Sequence, residues 1–314
     1  MTKTSIIMDV DTGVDDAFAV LFAATHPDIN LLGITCVDGN TNVDQVVANT
    51  FKVLDAAGAG DIPVARGAVR PLLGKSQYAE YVHGKDGMCD LGIAPSHRTV
   101  DSRSAVELLR DLIESSADPV TIVPIAPLTN IALFLRAFPE TAKKIHRIVL
   151  MGGSASAGNA TAAAEFNVWH DPEAAAIVFQ SGVPISMYGL DVFMRPTIGR
   201  VDATAMSKSD KPSSQFAGSL ALGFMEQVRT DPISLGDYGA VALVIHPELF
   251  TTEMLDVVVD TSDGPARGQT IVDRRGAWLK QLEPLDLEDS AKVRVALDLD
   301  VDAVVKLWLK TVNS

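Results

Sequence analysis

Over its first 190 residues the chain alternates short β-branched runs with segments of helical periodicity, and this alternation restricts the fold more than any other feature. Strands are expected at residues 5–8, 31–37, 62–65, 120–125, 147–151 and 185–188. Between them lie helical patterns at 16–25, 43–57, 105–115, 128–138 and 172–180, with Pro27, Gly58, Pro139 and Gly182 as stops. Strands separated by crossover helices pair in parallel. The expectation is therefore an α/β fold, doubly wound, with a mostly parallel central sheet flanked by helices. After residue 191 the alternation weakens. A helical region is expected to about 245, strands near 255–259, 270–272 and 292–297, a turn at Arg274-Arg275-Gly276, and a last helix from Val301. No repeat, low-complexity tract or linker interrupts the chain, so residues 1–314 are expected to form one domain.

Composition removes several function classes. The formal net charge is −14, and no stretch concentrates Lys and Arg into the basic face that nucleic-acid binding needs. Hydrophobic residues make up 47%, enough for a packed core and against disorder. Apolar runs such as 240–245 fall far short of the roughly 18 residues of a membrane span, and the N-terminal residues lack a signal-peptide pattern. Two cysteines, Cys36 and Cys89, suit a reducing cytoplasm, the expected location.

The first strand ends in Asp9-Val10-Asp11-Thr12-Gly13-Val14-Asp15-Asp16. Four carboxylates this close repel one another and need a cation or a set of donors to coexist in a folded loop. In a parallel α/β sheet the loops at the carboxyl ends of the strands form the ligand crevice. A solvated acidic turn, with Asp15 and Asp16 favoured at a helix N-terminus, would carry the same residues. A metal site is the stronger reading, because the acids directly follow a strand of buried type. Oxygen ligands of this kind suit Ca2+ or Mg2+ and not zinc. Taken alone, the segment also resembles the haloacid-dehalogenase phosphatases, in which the first Asp accepts the phosphoryl group and Mg2+ helps hold the phosphate.

Further segments fall at strand ends or helix starts: Asp38-Gly39-Asn40-Thr41, Ile125-Ala126-Pro127-Leu128-Thr129-Asn130, Met151-Gly152-Gly153, the run from Ala164 through Glu165-Phe166-Asn167 to Glu173, and Arg267-Gly268-Gln269-Thr270. In this order they resemble the inosine-uridine-preferring nucleoside hydrolase family, from Ile6 to about Asp273. The resemblance implies Ca2+-dependent hydrolysis of the N-glycosidic bond of ribonucleosides to free base and ribose. It implies a Ca2+ held by Asp11, Asp16, the backbone carbonyl of Ile125 and Asp237, with Asp11 also the general base toward a metal-bound water. Asp15, Asn40, Met151, Asn159, Glu165, Asn167 and Asp237 would surround the substrate. His83-Gly84 matches a His-Gly pair in a loop that can close near the nucleobase, so His83 is expected to bind the base and, if it substitutes for the base-side residue that Gly236 lacks, to assist its departure; a surface histidine would read the same. Similar proteins are commonly dimers or tetramers, so a homo-oligomer acting on a small ribonucleoside is expected, with no nucleic-acid or membrane partner. Thr12 stands where the family usually has Pro, and Gly13 keeps the turn free. Gly236 stands where the family often has His, Trp or Cys on the base side.

The chemistry supports this set independently. Hydrolysis of an N-riboside passes through an oxocarbenium-like cation, which nearby carboxylates and amide oxygens stabilise. Several residues also have plainer explanations. Asn40 after Gly39 suits a turn, Asp237 would cap a helix at 238–245, and Glu165 and Asn167 in an extended segment would share one side opposite Phe166. Asp171-Pro172-Glu173 reads as a helix N-cap with Pro at N1. His26, His97, His146, His170 and His246 read as surface or capping residues. Two alternatives remain: a Mg2+-dependent phosphatase, for which a downstream lysine and second acidic motif are not evident, and a non-catalytic Ca2+-dependent nucleoside- or ribose-binding protein.

Overall fold

The computed structural model describes residues 3–276, 279 and 290–314. In chain order the elements are β1 (Thr4–Val10), α1 (Val14–Thr25), β2 (Ile29–Cys36), α2 (Val43–Ala56), β3 (Val64–Arg66), α3 (Glu80–His83), α4 (Ala105–Ser115), β4 (Val120–Pro124), α5 (Thr129–Ala137), α6 (Pro139–Ala142), β5 (Ile145–Met151), α7 (Phe166–His170), α8 (Pro172–Phe179), β6 (Ile185–Tyr188), α9 (Leu190–Phe193), β7 (Thr197–Ile198), α10 (Arg200–Ser207), α11 (Pro212–Val228), β8 (Ile233–Ser234), α12 (Tyr238–Ile245), β9 (Phe250–Val259), β10 (Thr270–Val272) and β11 (Ala291–Leu299), followed by a last helix, Val301–Val312.

Nine strands form one sheet in the order β10-β9-β11-β6-β5-β4-β1-β2-β3. The seven from β11 to β3 are parallel, whereas β9 runs antiparallel to both β11 and β10. β1 is buried on both faces: Ile6, Met8 and Val10 enter the core beneath α1, α2, α11 and α12, while Ile7 enters the one beneath α4, α5 and α8. A central parallel strand covered by helices on both sides has to be apolar throughout, which is why residues 5–8 read so clearly. Strand order reverses between β1 and β4, and at such a switch point the loops leaving two neighbouring strands diverge and open a crevice.

The helical region expected after residue 191 is interrupted by β7 and β8, two short strands paired antiparallel away from the main sheet. The turn expected at Arg274-Arg275-Gly276 is irregular, with Arg275 folded back onto the Asp273 carboxylate. Among the described residues no helix is long and apolar enough to cross a membrane.

Candidate active site

The switch point holds a cavity of about 420 Å³. Of the residues singled out in the sequence, Asp11, Asp15, Asn40, His83, Ile125, Met151, Asn159, Glu165, Asn167 and Asp237 all line it, and Asp16 lies immediately behind.

The acidic loop is tied together by its own backbone. Asp16, in the first turn of α1, accepts the Asp11 N–H on Oδ1 (3.2 Å) and the Gly13 N–H on Oδ2 (3.0 Å). Asn40 reaches across from the end of β2: its N–H donates to Asp11 Oδ2 (2.7 Å) and its Nδ2 to Asp16 Oδ2 (3.1 Å). Asn40 is thus more than a turn residue. Gly39 is required for this approach, because a Cβ there would collide with the Asp11 carboxylate. Thr12, in the place of the expected proline, bonds the Thr50 hydroxyl of α2 at 2.6 Å.

One carboxylate oxygen each from Asp15, Asp16 and Asp237 lies within 4.8 Å of the others. Asp237 occupies the N-cap position of α12, yet its side chain caps no backbone N–H and faces the other acids instead. Asp11 Oδ1 is buried without a hydrogen-bond partner among the described residues. Burial, reinforced by the neighbouring carboxylates, pushes Asp11 and Asp237 well above the ordinary carboxylate range and Asp16 up to about 7. Buried acids under mutual repulsion, with an orphaned oxygen among them, form a donor set suited to a hard divalent cation.

The opposite wall comes from the ends of β4 and β5 and from α7. Asn167 Nδ2 donates to the carbonyls of Ile125 (3.1 Å) and Met151 (3.2 Å), bridging the two strand ends. The extended reading of Glu165-Phe166-Asn167 does not hold, because residues 166–170 are helical and Glu165 is their N-cap. Its carboxylate accepts from the N–H groups of Asn167 (2.8 Å), Val168 (3.1 Å) and Gly153 (2.8 Å). Orphan N–H groups at a helix start draw in an acceptor, and this outweighs the alternation of the side chains. Burial still lifts Glu165 to about 7. Asn159 is exposed at the cavity edge, and its Oδ1 holds the Phe166 N–H at 2.9 Å. Asp171 caps α8 as expected, accepting from Ala174 N–H at 3.1 Å behind Pro172.

His83 closes the cavity from α3. It is buried, its ring lies parallel to Phe224 with centroids 5.9 Å apart, and Nδ1 accepts the Val14 N–H at 3.3 Å. That bond assigns the proton to Nε2. Burial lowers the pKa of His83, and Asp15 opposes the shift. Gly236 adopts φ +55°, and a Cβ there would lie 2.6 Å from Asp15 Cβ and 2.9 Å from the Phe193 ring.

The sequence did not reveal the apolar wall: Tyr81, Val82, Phe193, Met194, Phe224, Val228 and Ile233 line the outer half of the cavity. Only Phe224 and Val228, one helical turn apart on α11, left a periodic trace. His170 is also corrected, whereas His26 caps α1 as expected. Both are buried; His26 accepts the Asp28 N–H on Nδ1 at 3.2 Å and so does serve at the end of α1, whereas His170 caps nothing. The phosphatase reading fails on Asp9. The carboxylate that would take the phosphoryl group is fully buried, its Oδ1 bonded to Thr35 (2.5 Å) and Asn130 (2.8 Å), and it does not line the cavity.

A model of the family described as inosine-uridine preferring nucleoside hydrolase matches residues 6–306. The pyrimidine-specific ribonucleoside hydrolase RihA of Shewanella baltica is 41% identical over 275 residues, 86% of each chain. The non-specific ribonucleoside hydrolase RihC of Salmonella paratyphi B is 38% identical over 311 residues, covering 98% of this chain and 96% of its own. Among solved structures, a purine-preferring ribonucleoside hydrolase from Gardnerella vaginalis superposes with a TM-score of 0.89 at 30% identity over 99% of this chain and 98% of its own. A plant nucleoside hydrolase, PpNRh1, gives 0.90 at 29% identity over 99% of each.

Proposed function

Since the chain belongs to the inosine-uridine preferring nucleoside hydrolase family, we propose that it hydrolyses the N-glycosidic bond of ribonucleosides at a Ca2+ site with Asp11 as general base. The observation that carries this reading is the buried Asp11 carboxylate, with Oδ2 held by the Asn40 N–H and Oδ1 left free beside three more acids.

Asp11, Asp16, Asp237 and the Ile125 carbonyl would hold the ion, with Asp15 on the ribose side; Asp16 and Asp237 converge within 4.8 Å together with Asp15 and not with Asp11, which supports a cation beside this pair. Bound there, Ca2+ would supply positive charge that lowers the pKa of a water in the site. Asp11, through its unpartnered Oδ1, would take the proton from the attacking water. Its burial raises its basicity, and the Asn40 N–H fixes the carboxylate so that one oxygen stays free for the transfer. Glu165, held by three backbone N–H groups, and Asp15 set negative charge beside the ribosyl ring, where positive charge develops as the glycosidic bond breaks. Asn167 fixes the two strand-end carbonyls and presents its amide oxygen to the sugar. His83, with its proton on Nε2, offers that N–H as a hydrogen bond to the departing base, and the Phe224 ring lies parallel to the imidazole.

Relatives named for pyrimidines, for purines and for neither all match this chain, so ribose, not one base, is the shared determinant proposed for it. Incubation with inosine, uridine, adenosine and cytidine in Ca2+, followed by a reducing-sugar assay, tests the proposal. Free ribose with matching free base is expected. Saturable nucleoside binding without ribose release would support the binding-protein alternative instead.

A further inference from the structure

Asp38 and His170 lie outside the cavity lining and have no part in the chemistry above, yet both are sealed from solvent, with side chains 1% exposed. His170 Nε2 stands 3.7 Å from Asp38 Oδ2. That oxygen and both imidazole nitrogens lack a hydrogen-bond partner among the described residues. A buried imidazole with nothing to donate to or accept from is costly, and so is a buried carboxylate oxygen. A contact of 3.7 Å is too long for a hydrogen bond, but less than about 1 Å of movement would make it one.

The position of Asp38 shows what such a bond would do. Its N–H bonds Ala68 O (3.0 Å) and its Oδ1 accepts the Tyr78 hydroxyl (3.2 Å), so it anchors two points of the long segment that leads to α3 and His83. Two residues on, Asn40 holds Asp11 by its N–H and takes the Ala79 N–H on its carbonyl (3.0 Å). His170 sits on α7, the helix that carries Asn167 and is capped by Glu165. One carboxylate therefore stands where the support of the general base, the segment bearing His83 and the ribose-side helix meet.

We propose that Asp38 and His170 are positioning residues, and that closure of their 3.7 Å contact to a hydrogen bond locks the Asp38–Asn40 loop to α7 and so fixes Asp11 in register with the ribose contacts. The inference rests on the hydrolase reading. Misregister of about 1 Å between reacting groups costs up to about 100-fold in rate, and it acts on kcat because the ground-state contacts to ribose survive.

Steady-state kinetics of the Ca2+-loaded full chain on uridine and on 4-nitrophenyl riboside tests the pair. His170→Phe, which keeps the volume and removes the donor, is expected to lower kcat about 10- to 100-fold on both substrates with KM within about twofold. His170→Gln, whose amide N–H reaches the same carboxylate, is expected to recover most of that loss, a rescue that packing alone does not predict. Asp38→Ala carries the same expectation as His170→Phe and keeps the test decisive if that variant does not fold. The double variant is expected to be no worse than the worse single. Wild-type kcat in His170→Phe or Asp38→Ala, no recovery by His170→Gln, or additive losses would each overturn the pairing alone. Wild-type protein that releases no ribose from any ribonucleoside would overturn the hydrolase reading and the pairing with it.

Discussion

Removing the metal at two pH values separates a cation site from a merely acidic crevice. In the metal-free protein Asp16 is held near 7 by burial and by Asp15, against 3.8 for a free side chain. An acid whose folded pKa is raised costs the folded state nothing below its unfolded pKa and destabilises it as pH rises, here through about 4 to 7. A cation has to displace the proton. Asp16 is ionised at pH 8 and only about 1% ionised at pH 5, two units below 7, so its proton alone lowers the apparent affinity about 100-fold, and the protons of Asp11 and Asp237, raised by burial and their neighbours, act in the same direction.

Ca2+ fixed at 100 times its pH 8 dissociation constant stabilises by about 2.7 kcal/mol at pH 8, and by at most about 0.4 kcal/mol at pH 5, where it at best equals the apparent constant. For 314 residues the unfolding entropy converts each kcal/mol into about 1.5 °C of Tm. The expected increments are therefore about 4 °C at pH 8 and under about 1 °C at pH 5. Asp9 and Glu165, also lifted to about 7, titrate with and without calcium, so comparing increments cancels their contribution to first order. Differential scanning calorimetry on chelator-stripped protein, with and without Ca2+, measures all four midpoints. Equal increments at the two pH values, or none at pH 8, would refute the linkage.

Three further outcomes follow from the site. His83→Ala is expected to slow nucleoside hydrolysis about 10²- to 10³-fold by removing the Nε2–H hydrogen bond to the departing base, while barely touching 4-nitrophenyl riboside, whose leaving group departs without help; Asp11→Ala should cripple both, and kcat/KM ratios that move together for His83→Ala would remove His83 as that donor. 2′-Deoxyuridine should trail uridine by about 10⁴-fold in kcat/KM, since a missing hydroxyl leaves buried site groups unpaired, and comparable values would overturn the ribose assignment. Gly236→Ala should cost about 1–3 kcal/mol from its positive φ and its collision with Asp15, read as a lower Tm and a raised KM; wild-type values for both would mean that Asp15 does not bear on the sugar.

The parts of the site legible in the sequence are those where local chemistry and position coincide. Asp11, Asp15 and Asp16 follow a strand buried on both faces, so four acids in eight residues could not pass for an ordinary surface loop. Glu165 and Asn167 were found but placed on the wrong element, because a five-residue helix is too short to show a 3.6-residue period, and an acidic N-cap looks the same as an acidic ligand until its backbone partners are known. The apolar wall was illegible for another reason: Tyr81, Phe193, Phe224 and Ile233 come from four separate segments that only tertiary packing brings together. His170 likewise carries no local sign that it is buried against Asp38, 132 positions away.

Gly236 shows how the departure from the family and the packing of the site are connected. Its missing side chain leaves the space into which Asp15 and the Phe193 ring close, and its left-handed backbone turns the chain so that Asp237 faces the acids instead of capping α12. A His, Trp or Cys at this position would have to displace Asp15, which borders both the metal cluster and His83. In the proposed mechanism the base-side contact is carried instead by His83 on α3, which lies 4.0 Å from Asp15 and is stacked against Phe224 on α11. Both residues line the cavity from helices outside the sheet, whereas Asp11, Ile125 and Met151 stand at the ends of β1, β4 and β5. On the proposed mechanism, substitutions on α3 and α11 would change the nucleobase preference without moving the carboxylates that activate the attacking water and flank the ribose.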